Sequence, residues 1–584
     1  MASGNIYDYQ LEGSSEDAEG SVVESIALAH RGRLYNPNPG WCSSPEDDSP
    51  WFLVSINASI FQNHENQNFV SYIINGFING FDTKVQETNL KIRECRNLRS
   101  ALQNVDTVDE LLSKEVEKGF LAGPYKAPPF ESYRVSPLGI AEHKYSKKKR
   151  LIVDLSAPHN NDTHPSINEL IDKQECSLSY VKIDDAIKII VQCGQGALMC
   201  KTDISDAFKL VPILPSQYHL FCVIWRNSYY YYTRLAFGCR SSPKIFDQFS
   251  QAICWIAQNN YKIESILHLL DEFLTIDKPD FHADRTMALL TMIFKKLNVP
   301  IAQHKTTGPD TVVEYLGIIL DSMNMQARLP PDKVHRIREM LETFCVKQSC
   351  TKREHLQLLG HLNFASRVIV PGRSFVSYLL CLASSVRELH HHIHLTAECR
   401  EDIRMWKLFL DQWNGISFFY DIERTPANSM HLYTDASSTV GFGGFFNGHW
   451  FCDSWPEKLP KESDREISMA LRELYPIVVA AILWGKYWSS KRILFYCDNA
   501  ATVNIIQKGR SKVLSIMQLM RRLTWCSAKY NFCIYSEFLP GKTNVIADAL
   551  SRFQMNKFRR LAPQADRLLS SLPHPGRWLL CCIC

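Results

Sequence analysis

The chain lacks a long hydrophobic run. Its longest apolar stretch, PIVVAAILWG at 476–485, is too short to cross a bilayer, so no membrane partner is expected. The opening residues MASGNIYDYQLEGSSEDAEG are polar and acidic and hold no secretory hydrophobic segment. An intracellular protein, cytoplasmic or nuclear and not secreted, is the expectation. Charge of one sign is also scarce: 65 Lys and Arg against 61 Asp and Glu leave +4 over 584 residues, and bulk charge announces no polyanionic partner. The 19 cysteines show no repeated metal-ligand spacing. Cys581 and Cys584 form a lone CxxC, which argues against structural zinc and for free thiols. The terminal CCIC resembles a prenylation box only faintly and is read as a tail without an assigned role. There is no internal repeat.

What is present is enough apolar sequence for several cores: 45% hydrophobic residues with 22% charged. Residues 1–50 read as a disordered acidic segment, and 51–130 as a small helical lead-in. HKYSKKKR at 143–150 is a dense basic run between two short strands; alone it reads as a solvated loop or a localisation signal. Ile183, Ala186, Ile187 and Ile190 predict an amphipathic helix closed by Gly194, with Asp184 and Asp185 on its solvated face. ALMCKTDISDAF (197–208) predicts a strand ending at Asp203. A hairpin turning at Arg226–Asn227–Ser228 and a helix over 242–258 come next. SILHLLDEFLTIDK (265–278) predicts a second hairpin with Asp271 and Glu272 at its turn. YLGIILD (315–321) reads as one strand. Val334, Ile337, Leu341 and Phe344 mark a helix, and Thr351 with Glu354 a capping box for the next. ELHHHIHL (388–395) reads as linker, because no cysteine or paired acid completes a metal site around its histidines. From 431 a second αβ pattern begins.

Two-metal phosphoryl or nucleotidyl transfer needs carboxylates converging on two divalent ions about 3.5–4 Å apart. A strand-end Asp203 beside a hairpin-tip Asp271 suits that need, because a sheet fixes both. Strand ends commonly carry Asp, so spacing alone decides nothing.

The flanking residues carry more. KTDISDAF, LAFGCRSSPKIFDQF, LLDEFL, HKTTGP and EYLGIIL resemble, in order, five motifs of reverse transcriptases. RLIVDLSAP, VIVPGRSFVSYLL and ECREDIRMWKLFLDQWNG look most like the polymerase of DIRS-type (tyrosine-recombinase) retrotransposons. The resemblance implies that Asp203 and Asp271 hold two Mg2+ ions (Mn2+ as substitute), with Glu272 beside them and the Ile204 carbonyl as a further ligand. It implies Phe208 as the steric gate against a 2′-hydroxyl, and Arg150 as the contact to the incoming triphosphate, helped less specifically by Lys147, Lys148 and Lys149. Phe237 and Gly238 would line the nucleotide pocket, and Lys305 would donate a proton to the departing pyrophosphate.

In the second pattern Asp435 ends HLYTD, Glu473 lies in a helix, Asp498 falls in FYCDN, and Asp548 in GKTNVIADALSR. This D–E–D–D order resembles ribonuclease H, which implies a second two-metal site with water as nucleophile. Two features depart from that pattern. Pro476 stands three residues after Glu473, where it removes a helical hydrogen bond. FLPGKTN carries no histidine where many relatives have one.

The fold expected is α+β multidomain: a right-hand polymerase with fingers and palm at 131–325, thumb at 326–385 and a helical connection at 386–430. An α/β ribonuclease H-like domain at 431–555 and a tail at 556–584 complete it. The resemblance implies RNA-directed DNA synthesis coupled to hybrid cleavage, with an RNA template, a DNA primer, RNA–DNA hybrid and deoxynucleoside triphosphates as partners. No protease, integrase or tyrosine-recombinase signature is present in this sequence. The alternative is a catalytically impaired or domesticated nucleic-acid-binding copy, for which Glu272, Pro476 and the CCIC tail speak.

Overall fold

The computed structural model describes residues 58–86, 92–142, 147–159, 164–279, 283–413, 416–419, 424–456, 468–511, 513–538 and 544–572. The acidic N-terminal segment, the first four residues of the basic run, most of FLPGKTN and the CCIC tail lie outside them. Both α and β structure occur throughout. No described helix is long and apolar enough to cross a membrane, and none of the described cysteines is disulfide-bonded.

The chain divides into two compact units. The first takes the described residues up to Ile189 together with Gly196–Val313. One apolar core runs through it, from Phe61, Ile73 and Phe81 in the lead-in to Phe246, Phe273 and Phe294, so the lead-in helices share a core with the sheets and helices C-terminal to them. Its central sheet has four antiparallel strands: β1 (Leu198–Asp203), β2 (Ile266–Leu269), β3 (Glu272–Asp277) and β4 (Thr307–Asp310), in the order β4-β1-β3-β2. β3 is buried along nearly its whole length, as a central strand reading EFLTID should be. Helix α1 (Ser242–Tyr261) packs on β2 and starts with a proline in its first turn. A second, five-stranded sheet holds the hairpin Cys222–Trp225 and Ser228–Tyr232. That hairpin turns at Arg226 and Asn227, both at positive φ, and Ser228 already belongs to the strand. The two strands around the basic run, Leu138–Glu142 and Lys149–Val153, pair in antiparallel register.

The second unit contains Glu314–Cys584, as far as it is described, with Ile190–Gln195. Helix Pro331–Val346 buries Val334, Ile337, Leu341 and Phe344. Thr351 and Glu354 form the reciprocal capping box at the start of Lys352–Ala365. Two sequence expectations change here. Leu316 and Gly317, both at positive φ, interrupt YLGIILD, so it is not one strand. His392–His394 is a strand, paired with Ser349–Thr351, in which Ile393 is buried and both histidines are exposed. The alternation in HHHIH is that of a pleated strand, whose partner lies far away in sequence.

From 432 onward come β5 (Leu432–Ala436), β6 (Gly441–Phe446), β7 (His449–Ser454), helix α2 (Met469–Trp484), β8 (Arg492–Cys497), helices α3 (Ala500–Lys508) and α4 (Leu514–Tyr530), β9 (Cys533–Phe538) and α5 (Val545–Ser551). β5, β6 and β7 form an antiparallel sheet; β8 and β9 pair in parallel. α2 is almost wholly buried and runs unbroken past Pro476. Phe558, Ala562 and Ala565 pack on Phe445 and Trp450, so residues 556–572 extend this core rather than trail from it. Buried Asp402, on helix Ala397–Trp413, pairs with Arg521 of α4, whose guanidinium stacks on Tyr378.

Candidate active sites

In the first unit the antiparallel register of β1 and β3 sets Asp203 directly opposite Glu272. Asp271 occupies the two-residue turn before Glu272, so the acid pair is split between turn and strand. All three acids are at most 9% exposed. The carboxyl of Asp271 lies close enough to Asp203 to feel its charge. Burial pushes Asp203 up to about 6, against the pull of Lys305 and Lys201. Burial, then the adjacent Asp203 charge, drives Asp271 well above the ordinary carboxylate range.

Two ammonium groups offset this acid concentration. Lys201 Nζ lies 2.7 Å from Glu272 Oε1 and 3.9 Å from Asp203 Oδ2. Lys305 Nζ lies 3.6 Å from Asp203 Oδ1. Glu272 thus directs its longer side chain to Lys201. The bridge between Ile204 and Ile301 is flanked by Ala302 N–H donating to the Asp203 carbonyl and Ser205 N–H donating to the Pro300 carbonyl. That pattern leaves the Ile204 carbonyl outside the bridge's own hydrogen bonds. Adjacent carboxylates, a backbone carbonyl and balancing cations are a donor set that suits hard divalent ions.

Phe208 is buried, with its ring edge-to-face against Phe237 at 5.0 Å and Phe246 at 5.3 Å between centroids. Phe237 is itself 38% exposed, so this aromatic cluster reaches solvent. Gly238 has φ +85°, and a Cβ there would meet the Val153 carbonyl at 3.3 Å. Arg150 lies in Lys149–Val153, opposite Ala141. Within the basic run Lys147 pairs with Glu142 at 3.2 Å, and Lys149 Nζ donates to Asn104 at 2.5 Å.

Two contributors escape sequence reasoning. Asn168, buried, donates to the Gly238 carbonyl at 2.8 Å and accepts from the Arg240 N–H at 2.8 Å, fixing the Phe237–Gly238 loop from seventy residues away. Lys118, from the lead-in, pairs with Asp206 three residues after Asp203. Both members of that pair border a cleft of about 700 Å³ with Phe120, Leu210, Lys295 and Ile301. No spacing in the sequence signals either contact.

In the second unit Glu473, Cys497 and Asp498 offer ligand atoms within 4.8 Å of one another. Burial, then the charges of Asp435 and Asp498, push Glu473 up to about 9. Burial pushes Asp435 up to about 6, and its neighbours include Asp548 and Asp498. Ser551 Oγ donates to Asp435 Oδ2 at 2.6 Å, tying α5 to β5. Gly443, opposite Asp435 in the β5–β6 ladder, lets α5 approach, since a Cβ there would stand 2.5 Å from Leu550 Cβ. Burial opposes ionisation of Asp548, but Arg552 at 2.6 Å and Lys557 at 3.1 Å hold its carboxyl below the ordinary range. Glu473 is thus the buried member, Asp435 is half-buried, Asp498 is exposed beside Glu473, and Asp548 has both oxygens engaged by cations.

Residues 125–320 match the reverse transcriptase (RNA-dependent DNA polymerase) family. Over 407 residues the chain is 22% identical to the retrovirus-related Pol polyprotein from transposon opus of Drosophila melanogaster, covering 67% of this chain and 37% of that protein. It is 23% identical over 470 residues to a polyprotein of Cassava vein mosaic virus, covering 76% of this chain and 64% of that one. The chain thus spans less than two thirds of either relative. Among solved structures it is similar to the foamy viral protease-reverse transcriptase with RNA/DNA hybrid (TM-score 0.45, 13% identity, 78% of this chain and 56% of that one). The dRH form of the foamy viral protease-reverse transcriptase with double-stranded DNA gives a TM-score of 0.44 at 15% identity, over 78% of this chain and 73% of that one.

Proposed function

We propose that this chain is an RNA-directed DNA polymerase that also cleaves the RNA strand of RNA–DNA hybrids, within a retrotransposon whose motifs resemble the DIRS type. The observation that carries the polymerase reading is the β1–β3 register, which brings Asp203, Asp271 and Glu272 together inside the reverse transcriptase match.

In this reading Asp203, Asp271 and the Ile204 carbonyl would hold two Mg2+ ions, with Mn2+ as a substitute. Such ions, when bound, activate an attacking hydroxyl and stabilise charge on a phosphoryl group. The chain's own residues do the rest. Arg150 pairs with the triphosphate of the incoming nucleotide. Phe208, braced by Phe237 and Phe246, lies under the sugar and leaves no room for a 2′-hydroxyl. Gly238 admits the close backbone approach that its bare Cα allows. Lys305, beside Asp203, protonates the departing pyrophosphate while the primer 3′-hydroxyl attacks the α-phosphate. In the second unit Asp435, Glu473, Asp498 and Asp548 are the corresponding acids for hydrolysis by water. Fingers and palm would lie in 131–325, thumb in 326–385, connection in 386–430 and the nuclease in 431–555.

The test is extension of a DNA primer on an RNA template with Mg2+. Wild type should incorporate deoxynucleotides and Asp203→Asn should not. If both were inert while still binding hybrid, the polymerase reading would give way to the nucleic-acid-binding alternative.

A further inference from the structure

The hairpin that carries Asp271 is held from behind by one face of α1. Asp247, Ser250 and Cys254 recur at helical spacing on that face. Ser250 is fully buried and its Oγ donates to the Leu270 carbonyl at 2.6 Å. Leu270 precedes Asp271 in the two-residue turn and has φ +53°. That is left-handed backbone, which a branched side chain keeps only where its surroundings enforce it, and turns of this kind ordinarily use Gly, Asn or Asp. One residue before β2 ends, His268 Nε2 lies 3.3 Å from Asp247 Oδ1 and its Nδ1 lies 3.3 Å from Cys254 Sγ. The second Asp247 oxygen accepts from Gln251 at 2.7 Å, so the aspartate is fixed at both ends.

We propose that Ser250, supported by the Asp247–His268 contact, is a positioning residue for the polymerase site: it locks the left-handed Leu270 turn and so aims the next side chain, Asp271, at Asp203. The proposal rests on the polymerase reading of that acid pair. Ser250 touches no reacting group, and its effect runs through the Leu270 carbonyl. A buried serine that merely satisfies the nearest acceptor would matter for stability alone. A positioning serine must instead show in turnover, and its importance must depend on the strain at Leu270.

The experiment uses the full-length chain and a two-by-two set: wild type, Ser250→Ala, Leu270→Gly and the double variant. Ser250→Ala should lower kcat for single-nucleotide addition by about tenfold with the nucleotide KM nearly unchanged, since one buried hydrogen bond can misalign a catalytic group by that much. In the Leu270→Gly background the same substitution should cost less than about threefold, because glycine accepts positive φ without enforcement. Ser250→Cys, which fills the site with a slightly larger side chain and keeps only a weak donor, covers the case in which Ser250→Ala fails to fold; it should shift kcat in the same direction. Equal losses in both backgrounds, or a loss confined to KM or melting temperature, overturn the proposal. Mn2+ binding, monitored by electron paramagnetic resonance, separates this failure from that of the polymerase reading. The component lost in Asp271→Asn should weaken in Ser250→Ala even if no extension is seen. An unchanged component overturns the proposal whatever the chain catalyses.

Discussion

The two acid centres of this chain are built in opposite ways. In the first, Asp203 and Glu272 face each other across one antiparallel ladder and Asp271 sits in the adjoining turn. Register brings Asp203 and Glu272 together, and Lys201 and Lys305 balance the charge of the group. In the second, Asp435, Glu473, Asp498 and Asp548 come from a strand, a helix, a strand end and another helix. Burial and the charges of Asp435 and Asp498 push Glu473 up to about 9, while Arg552 and Lys557 pair with Asp548. The first centre is therefore secured by local pairing and charge compensation. The second depends on how closely separate elements approach.

The largest expected effect comes from breaking that approach. Gly443→Val would push α5 away from β6 at Leu550 and carry Asp548 with it. Hybrid cleavage should fall by about a hundredfold, since a displacement near 1 Å can cost that much, while primer extension is unaffected. Cleavage at the wild-type rate would mean that α5 does not position the site. At the first centre, Phe208→Val should admit ribonucleotides, lowering discrimination by roughly tenfold in single-nucleotide kinetics. Unchanged discrimination removes Phe208 from the gate.

A smaller effect is expected from pH. Glu473 is raised from 4.5 to about 9, so the folded chain holds a proton that the unfolded chain releases. The metal-stripped protein should therefore lose stability as pH rises from about 4.5 to about 9. Asp203 and Asp435, each pushed up to about 6, add to the loss in the lower part of that window. Glu473→Gln should flatten the slope above about pH 6, read as melting temperature in chelator. An unaltered slope would show that Glu473 titrates normally. The smallest effect is expected at Glu272. Its contact with Lys201 makes it a charge partner more than a centre of the site, so Glu272→Asp should change extension by less than about threefold, in either direction. Abolished activity would contradict that.

The same contrast governs what the sequence discloses. The first centre lies in contiguous motifs, and the strand to Asp203, the hairpin at 265–278 and the helix over Ser242–Tyr261 can be read from alternation, apolar spacing and turn residues. The capping box at Thr351 and Glu354 is likewise a local pattern that the structure keeps. What stays hidden is held by distant partners. Asn168 fixes the Gly238 loop across seventy residues, and Lys118 reaches Asp206 from the lead-in. His392–His394 becomes a strand only because Ser349–Thr351 pairs with it. Pro476 looks disruptive in isolation, yet α2 continues through it, buried by surrounding elements. Glu272 is legible as an acid beside Asp271, but its strand position and its Lys201 partner need the register of β1 against β3.

If two independent acid centres share this chain, each must fail alone. Asp203→Asn and Asp498→Asn, each measured for both RNA-templated extension and hybrid cleavage in Mg2+, test that most directly. Asp203→Asn should lose extension and keep cleavage, and Asp498→Asn should do the reverse. Loss of both activities in either variant, or of neither, would contradict the independence of the two centres.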